Sequence, residues 1–308
     1  MSNLQTKEVL PECKNRDLSN PINHIIFPRM GDIGNFKVHR ALPAKERQMV
    51  GPFIFWDQMG PGEFMTGQGL DVRPHPHIGL STLTYLFQGE IDHRDSLGFY
   101  QKITPGDVNL MTAGSGIVHS ERTDKNIRNH KNFLYGIQSW IALPKKYEET
   151  NPNFVHHEKA NLPLIDQEGI KGRLISGNLW GLKSPVELLH YTLYADIEIR
   201  PGAKFSLPKD TEERGVYLLE GDIEIGREEF PSHRMLVFRP GDNIVIKAQE
   251  GSKSVRLLLL GGAAMDGPRY IWWNFVSSSQ ERIEQAKRAW QKGKFKKVEG
   301  DIEFIPLP

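Results

Sequence analysis

The segment Tyr85-Leu86-Phe87-Gln88-Gly89-Glu90-Ile91-Asp92 returns, nearly in kind, as Tyr217-Leu218-Leu219-Glu220-Gly221-Asp222-Ile223-Glu224. The offset from Tyr85 to Tyr217 is 132 residues. A second echo follows in the same order: Pro105-Gly106-Asp107-Val108 and Pro240-Gly241-Asp242-Asn243, at an offset of 135. Two ordered matches at nearly one offset point to an internal duplication, with a coincidence of common turn dipeptides as the alternative. Each copy is a set of short alternating segments. HIIFP, FKVHR, PFIFWDQM, GLSTLTYLFQG, DVNLMTAG and FLYGIQSWIALP fill the first block. LLHYTLYADIEIRPG, RGVYLLEGDIEIG, HRMLVFRPGDNIVIKAQ and SVRLLLLGG fill the second. Punctuated by 29 glycines and 20 prolines, this pattern predicts an all-β chain rather than βαβ units. Two antiparallel β-barrel or jelly-roll domains are expected, over residues 1–150 and 151–308. The glycine after each repeated strand is expected to make a hairpin, and each Pro-Gly-Asp the turn into the next strand. The polar stretch Lys145 to Gly169 reads as a connector. Near the end the period changes: Ser278-Ser279-Gln280-Glu281 is a capping-box pattern, and Ile283, Ala286, Ala289 and Trp290 share one face of a short helix stopping near Gly293.

Within the first block, RPHPHIGL places His75 and His77 two residues apart. Extended chain sends residues i and i+2 to one side, so both imidazoles can address one object. Pro74 and Pro76 fix φ before each histidine. In TAGSGIVHSE, His119 and Glu121 repeat the spacing after Gly114 and Gly116, which permit a tight bend. Two such strands supply three neutral imidazoles and a carboxylate, a donor set for a divalent transition metal with positions left open. The competing reading is surface decoration or a hydrogen-bonded core histidine. The second block offers an internal control: the offsets bring His75, His77, His119 and Glu121 onto Leu207, Lys209, Ser254 and Arg256, none of them a histidine or carboxylate. One metal per chain, in the N-terminal block, is the expectation.

His93 lies past the repeated glycine and reads as a hydrogen-bonding residue at the pocket rim. His24, His39, His130, His156, His157, His190 and His233 have no ligand partner in convincing context, and His156-His157 reads as surface. Phe53, Phe55, Trp56 and Met111 could wall a pocket for a flat substrate or simply fill the core. Trp272 and Trp273 read as packing the C-terminal segment against the rest.

Composition narrows the partners. The 308 residues carry 39 Lys and Arg against 38 Asp and Glu, a net charge of +1, which gives no general attraction to nucleic acid or anionic membrane. Lys287, Arg288, Lys292, Lys294, Lys296 and Lys297 make the tail basic, as helix-end cations and solvated surface explain. The one cysteine, Cys13, cannot form an intrachain disulfide. The segment MSNLQTKEVLPECKNRD shows no apolar h-region, so no signal peptide is expected, and the run Val255–Gly262 is too short to span a bilayer. A cytoplasmic monomer is expected, since the length suffices to bury a core alone.

HPHIGLSTLTYLFQGEIDHRDSLG and PGDVNLMTAGSGIVHSE resemble the cupins, and among them the pirin family of bicupins, over roughly residues 20 to 300. General cupins place a glutamate shortly after HxH, where this chain reads Leu80-Ser81-Thr82; here the glutamate follows the last histidine, as in pirins. The tail GPRYIWWNFVSSSQERIEQAKRAWQKGKF is similar to bacterial-type members. The resemblance implies Fe(II) held by His75, His77, His119 and Glu121, with other divalent metals acceptable to the same donors. It further implies quercetin 2,3-dioxygenase-like chemistry, in which a flavonol is opened by dioxygen with release of carbon monoxide. Glu121 would be both ligand and general base. The alternative it carries is a non-catalytic iron-binding regulator of transcription or metabolism acting through protein contact.

Overall fold

The computed structural model describes residues 21–33, 36–251 and 253–308. Cys13 and the N-terminal segment lie outside the described residues. The described residues are all-β apart from short helical turns and one C-terminal helix, in two main sheet domains. No described helix is long and apolar enough to cross a membrane.

In the first half, a seven-stranded antiparallel sheet runs in the order Asn153–His157, Val108–Thr112, Leu80–Gln88, Asn132–Ala142, Phe53–Phe64, Lys37–Leu42 and Arg29–Asp32. A four-stranded sheet packs on it, in the order Asp71–His77, Ile117–Arg122, Ile91–Asp95 and Tyr100–Ile103. The second half repeats this plan. Its seven-stranded sheet runs Ile22–Ile26, Arg234–Phe238, Glu213–Glu220, Val255–Gly262, Thr192–Ile199, Ile170–Ser176 and Leu164–Gln167. Its four-stranded sheet runs Lys204–Ser206, Val245–Ala248, Ile223–Ile225 and Glu228–Phe230.

The expected barrels and jelly rolls are not formed. Among the described residues each seven-stranded and four-stranded sheet is open, with its two edge strands unpaired to each other. The layers of each half are joined by side-chain packing instead of a continuous ladder. Met59, Leu86, Ile91 and Ile103 fill the first interlayer space, and Ile197, Val216, Ile223 and Ile246 the second.

The expected hairpin at the repeated glycine is also corrected. Leu80–Gln88 pairs with Asn132–Ala142 and Val108–Thr112, not with Ile91–Asp95. Gly89 and Gly221, both at positive φ (85° and 73°), carry the chain from one sheet across to the other. The Pro-Gly-Asp turns are not equivalent. The first leads into the seven-stranded sheet, through Val108–Thr112; the second leaves the other seven-stranded sheet for Val245–Ala248. By sheet position, the strands matching Asp71–His77 and Ile117–Arg122 are Lys204–Ser206 and Val245–Ala248, which also lack histidine and carboxylate.

The stretch read as a connector supplies an edge strand to each half, Asn153–His157 and Leu164–Gln167. Ile22–Ile26 joins the second-half sheet rather than the first. The outward faces of the seven-stranded sheets form one core between the halves, including Phe53, Trp56, Tyr85, Tyr194, Tyr217 and Leu258. Strand alternation explains this: Leu83 and Tyr85 face that core, while Thr84 and Leu86 face the other way.

The C-terminal helix spans Gln280–Gln291. Its N-cap is Ser279, one residue later than the capping-box reading, with its hydroxyl accepting from the Arg282 amide at 3.3 Å. Ser278 instead donates its amide and hydroxyl to Glu148. Ile283 and Ala286 are buried against Ile78 and Phe275, which places the helix behind the histidine strand.

Candidate metal centre

Asp71–His77 and Ile117–Arg122 are antiparallel neighbours, and their register puts His75 directly opposite His119. His77 follows His75 on the same face two residues on. The three rings converge, with centroids 4.4 Å apart for His75–His119 and 5.0 Å for both other pairs. One ring nitrogen from each lies within 4.8 Å of the others, and Nε2 of His77 faces Nε2 of His119 at 3.1 Å.

Two of the tautomers are set by carbonyls, which can only accept. The Nδ1–H of His75 donates to the Arg73 oxygen at 2.9 Å, and that of His77 to the Asn274 oxygen at 3.1 Å. Both leave an Nε2 lone pair directed inward. Burial lowers the basicity of all three: His75 falls to about 4, and His77 and His119 fall well below the ordinary imidazole value, each helped by neighbouring rings. They are therefore neutral donors at physiological pH. Three neutral, converging imidazoles fit a divalent transition metal, and a cation would relieve their mutual crowding of lone pairs.

Glu121 is not among the three residues whose ligand atoms all lie within 4.8 Å of one another, but it lines the same cavity as His75 and His77. A register shift between His119 and Glu121 interrupts the ladder, and Glu121 lies opposite Val72 on one side and His93 on the other. Its Oε1 accepts a long 3.4 Å bond from Gln138, whose own oxygen accepts from Thr84 at 2.6 Å. Desolvation is the largest influence on its carboxyl and pushes it up to about 7, against weaker opposing hydrogen bonds.

His75, His77 and Glu121 open into a cavity of about 540 Å³. Phe55 and Trp140 form one wall, stacked at 4.0 Å and 13°, and Ile271, Trp272 and Trp273 form another. Of the sequence candidates for the walls, only Phe55 serves; Phe53 and Trp56 belong to the core between the halves, and Met111 to a core beneath the site. Trp272 and Trp273 both pack the C-terminal segment and line the cavity. The tail closes a further side. Ile305 lines the cavity, its amide donates to the Pro74 oxygen at 2.8 Å, and its oxygen accepts from Trp290 Nε1 at 3.0 Å. Arg122 ties this tail to the ligand strands, reaching Asp71 at 2.6 Å, Glu303 at 2.6 Å and Asp301 at 3.0 Å.

Sequence reasoning missed the supports. The Asn274 carbonyl is 197 residues from His77, and no spacing rule could connect them. His93 is not at the rim but buried, with Nδ1 at 3.4 Å from Nδ1 of His119 and Nε2 at 3.0 Å from Asp95. The i, i+2 spacing of His93 and Asp95 was available as a signal.

The description "Pirin" matches residues 35–141, which include all four proposed ligands, and "Pirin C-terminal cupin domain" matches residues 194–296. A pirin-like protein of Caulobacter vibrioides is 49% identical over 93% of this chain and 99% of its own length. Human pirin is 30% identical over 81% of this chain and 84% of its own. A crystal structure of quercetin 2,3-dioxygenase from Acinetobacter baumannii superposes with a TM-score of 0.84, covering 92% of this chain and 94% of that one at 32% identity. With both halves matched and the three histidines clustered in the first, the chain belongs to the pirin family of the cupin superfamily.

Proposed function

We propose that the protein is a metal-dependent dioxygenase of the quercetinase type. Residues 1–150 carry the site, with one Fe(II) per chain held by His75, His77, His119 and Glu121. The observation that carries the reading is the open aromatic cavity leading to three neutral imidazoles. Its volume lies in the range of small-molecule sites, ~300–1,000 Å³. The likeness to the Acinetobacter quercetin 2,3-dioxygenase supports it.

The metal would supply Lewis acidity and a place where substrate and dioxygen meet. The remaining work falls to the chain. The stacked Phe55–Trp140 wall and the Trp272–Trp273 side give a flat flavonol apolar faces. Glu121, held near neutrality by burial, accepts the proton of the substrate 3-hydroxyl, leaving an electron-rich flavonolate. Gln138 steadies the carboxylate through its amide. The tail at Ile305 limits water at the cavity side. In the overall reaction two C–C bonds break, both oxygen atoms of dioxygen enter the depside, and one carbon leaves as carbon monoxide.

The test is elemental analysis followed by a flavonol assay, anaerobic first and then with oxygen admitted. The expected result is one equivalent of iron, bleaching only after oxygen enters, and carbon monoxide in the headspace. His119→Ala should lose metal and bleaching together while keeping its circular dichroism. Stoichiometric metal without turnover would move the assignment to a regulatory iron protein that acts through protein contact.

A further inference from the structure

Asp95 and His93 form a hydrogen-bonded line behind the metal ligands. Both are buried, at 1% and 4% exposure. Asp95 Oδ2 meets His93 Nε2 at 3.0 Å, and His93 Nδ1 meets His119 Nδ1 at 3.4 Å. The other oxygen of Asp95 accepts the amides of Leu97 at 2.8 Å and Phe99 at 3.2 Å, so the carboxylate cannot turn freely. Phe154 stacks on His93 at 4.4 Å and 15°, so neither can the ring.

The proton positions follow in order along this line. A carboxylate only accepts, so His93 carries its proton on Nε2 and presents a lone pair at Nδ1. His119 must then carry its proton on Nδ1 to donate to it. Nε2 of His119 is left bare, facing Nε2 of His77. His75 and His77 reach the same state through backbone carbonyls, but among the described residues no backbone carbonyl serves His119. We infer that Asp95 and His93 are a positioning pair for the metal site, locking His119 into its ligating tautomer. The inference rests on the proposed metal at the triad and not on the flavonol chemistry.

Outer partners of this kind set metal affinity within about 10–100-fold. Three variants test the pair, with Co(II) as probe under chelator competition and its visible spectrum as the geometric readout. His93→Phe keeps a ring against Phe154 but removes the acceptor, and should weaken Co(II) binding about 10–100-fold and shift the spectrum. Asp95→Asn should do the same for a different reason. The Leu97 and Phe99 amides hold the asparagine oxygen, so its NH₂ faces His93, which must then protonate Nδ1 and confront the Nδ1–H of His119. His93→Gln can accept from His119 and donate to Asp95, and should stay within about threefold of the parent.

Circular dichroism and melting of the metal-free variants establish that each is folded. The inference is overturned if His93→Phe and Asp95→Asn bind Co(II) as the parent does with an unchanged spectrum. It is equally overturned if His93→Gln loses as much as His93→Phe, since packing rather than hydrogen bonding would then be responsible. Parent protein that binds Co(II) with these variant effects, yet bleaches no flavonol as the iron form, would retire the enzymatic reading and leave the positioning pair standing.

Discussion

His75 shows how one residue type carries both a liability and a function. Its ring is buried, and desolvation holds it near 4, so the folded chain refuses a proton that the unfolded chain accepts at about 6.5. Stability from this group is present above pH 6.5 and lost as pH falls toward 4. In metal-free protein the loss over that window is on the order of 3 kcal/mol from His75, with His77 and His119 acting in the same direction. Urea denaturation in the presence of a chelator, from pH 7.5 to 4.5, should show this fall. His75→Leu should make the fall shallower, with the remainder due to His77 and His119; an unchanged slope would mean that the ring is solvated. The spacing of the histidines was legible at this scale because period two is a local property of extended chain. The tautomers were not, since they depend on Arg73, Asn274 and His93, only the first of which is close in sequence to the ligand it supports.

At the level of elements, the turn after the HPH strand is the most constrained point. Gly79 has φ of 68°, and a Cβ placed on it would lie 2.0 Å from the Val276 carbonyl oxygen. That contact belongs to the hairpin Tyr270–Trp272 and Phe275–Ser277, which also supplies the Asn274 carbonyl to His77. Gly79→Ala should therefore cost about 2–4 kcal/mol, combining left-handed strain with a backbone clash. It should also weaken metal binding by displacing Asn274. Thermal denaturation and metal titration check the two effects, and a silent substitution would show the hairpin to be readily displaced. The glycines of the repeat announced turns in the sequence, and Gly79 was not among them. What they could not announce was destination: Gly89 was read as a hairpin but sends the chain to a different sheet, because a glycine permits a turn without choosing the strand's partner.

The whole molecule is held together by the core between its halves. Tyr217 donates its hydroxyl to Gln58 at 2.8 Å, and Tyr85 to Asp196 at 3.0 Å, each bond crossing from one half to the other. Gln58 is 1% exposed, so Tyr217→Phe would leave its oxygen buried and unsatisfied, at a cost of about 1–3 kcal/mol. Urea unfolding of the parent should give one transition, coincident by circular dichroism and tryptophan fluorescence. Two separate transitions would mean that this core does not couple the halves. The alternating pattern, the repeat, the helical tail and the histidine set were all determined by sequence alone, because each rests on backbone period or residue chemistry over a few positions. Only the tertiary structure decided that the sheets stay open, that edge strands are exchanged between the halves, and that Asn274, Ile305 and the Asp95–His93 line surround the histidine cluster. Those outcomes depend on which surfaces meet across long loops, and contact at a distance leaves no period in a sequence.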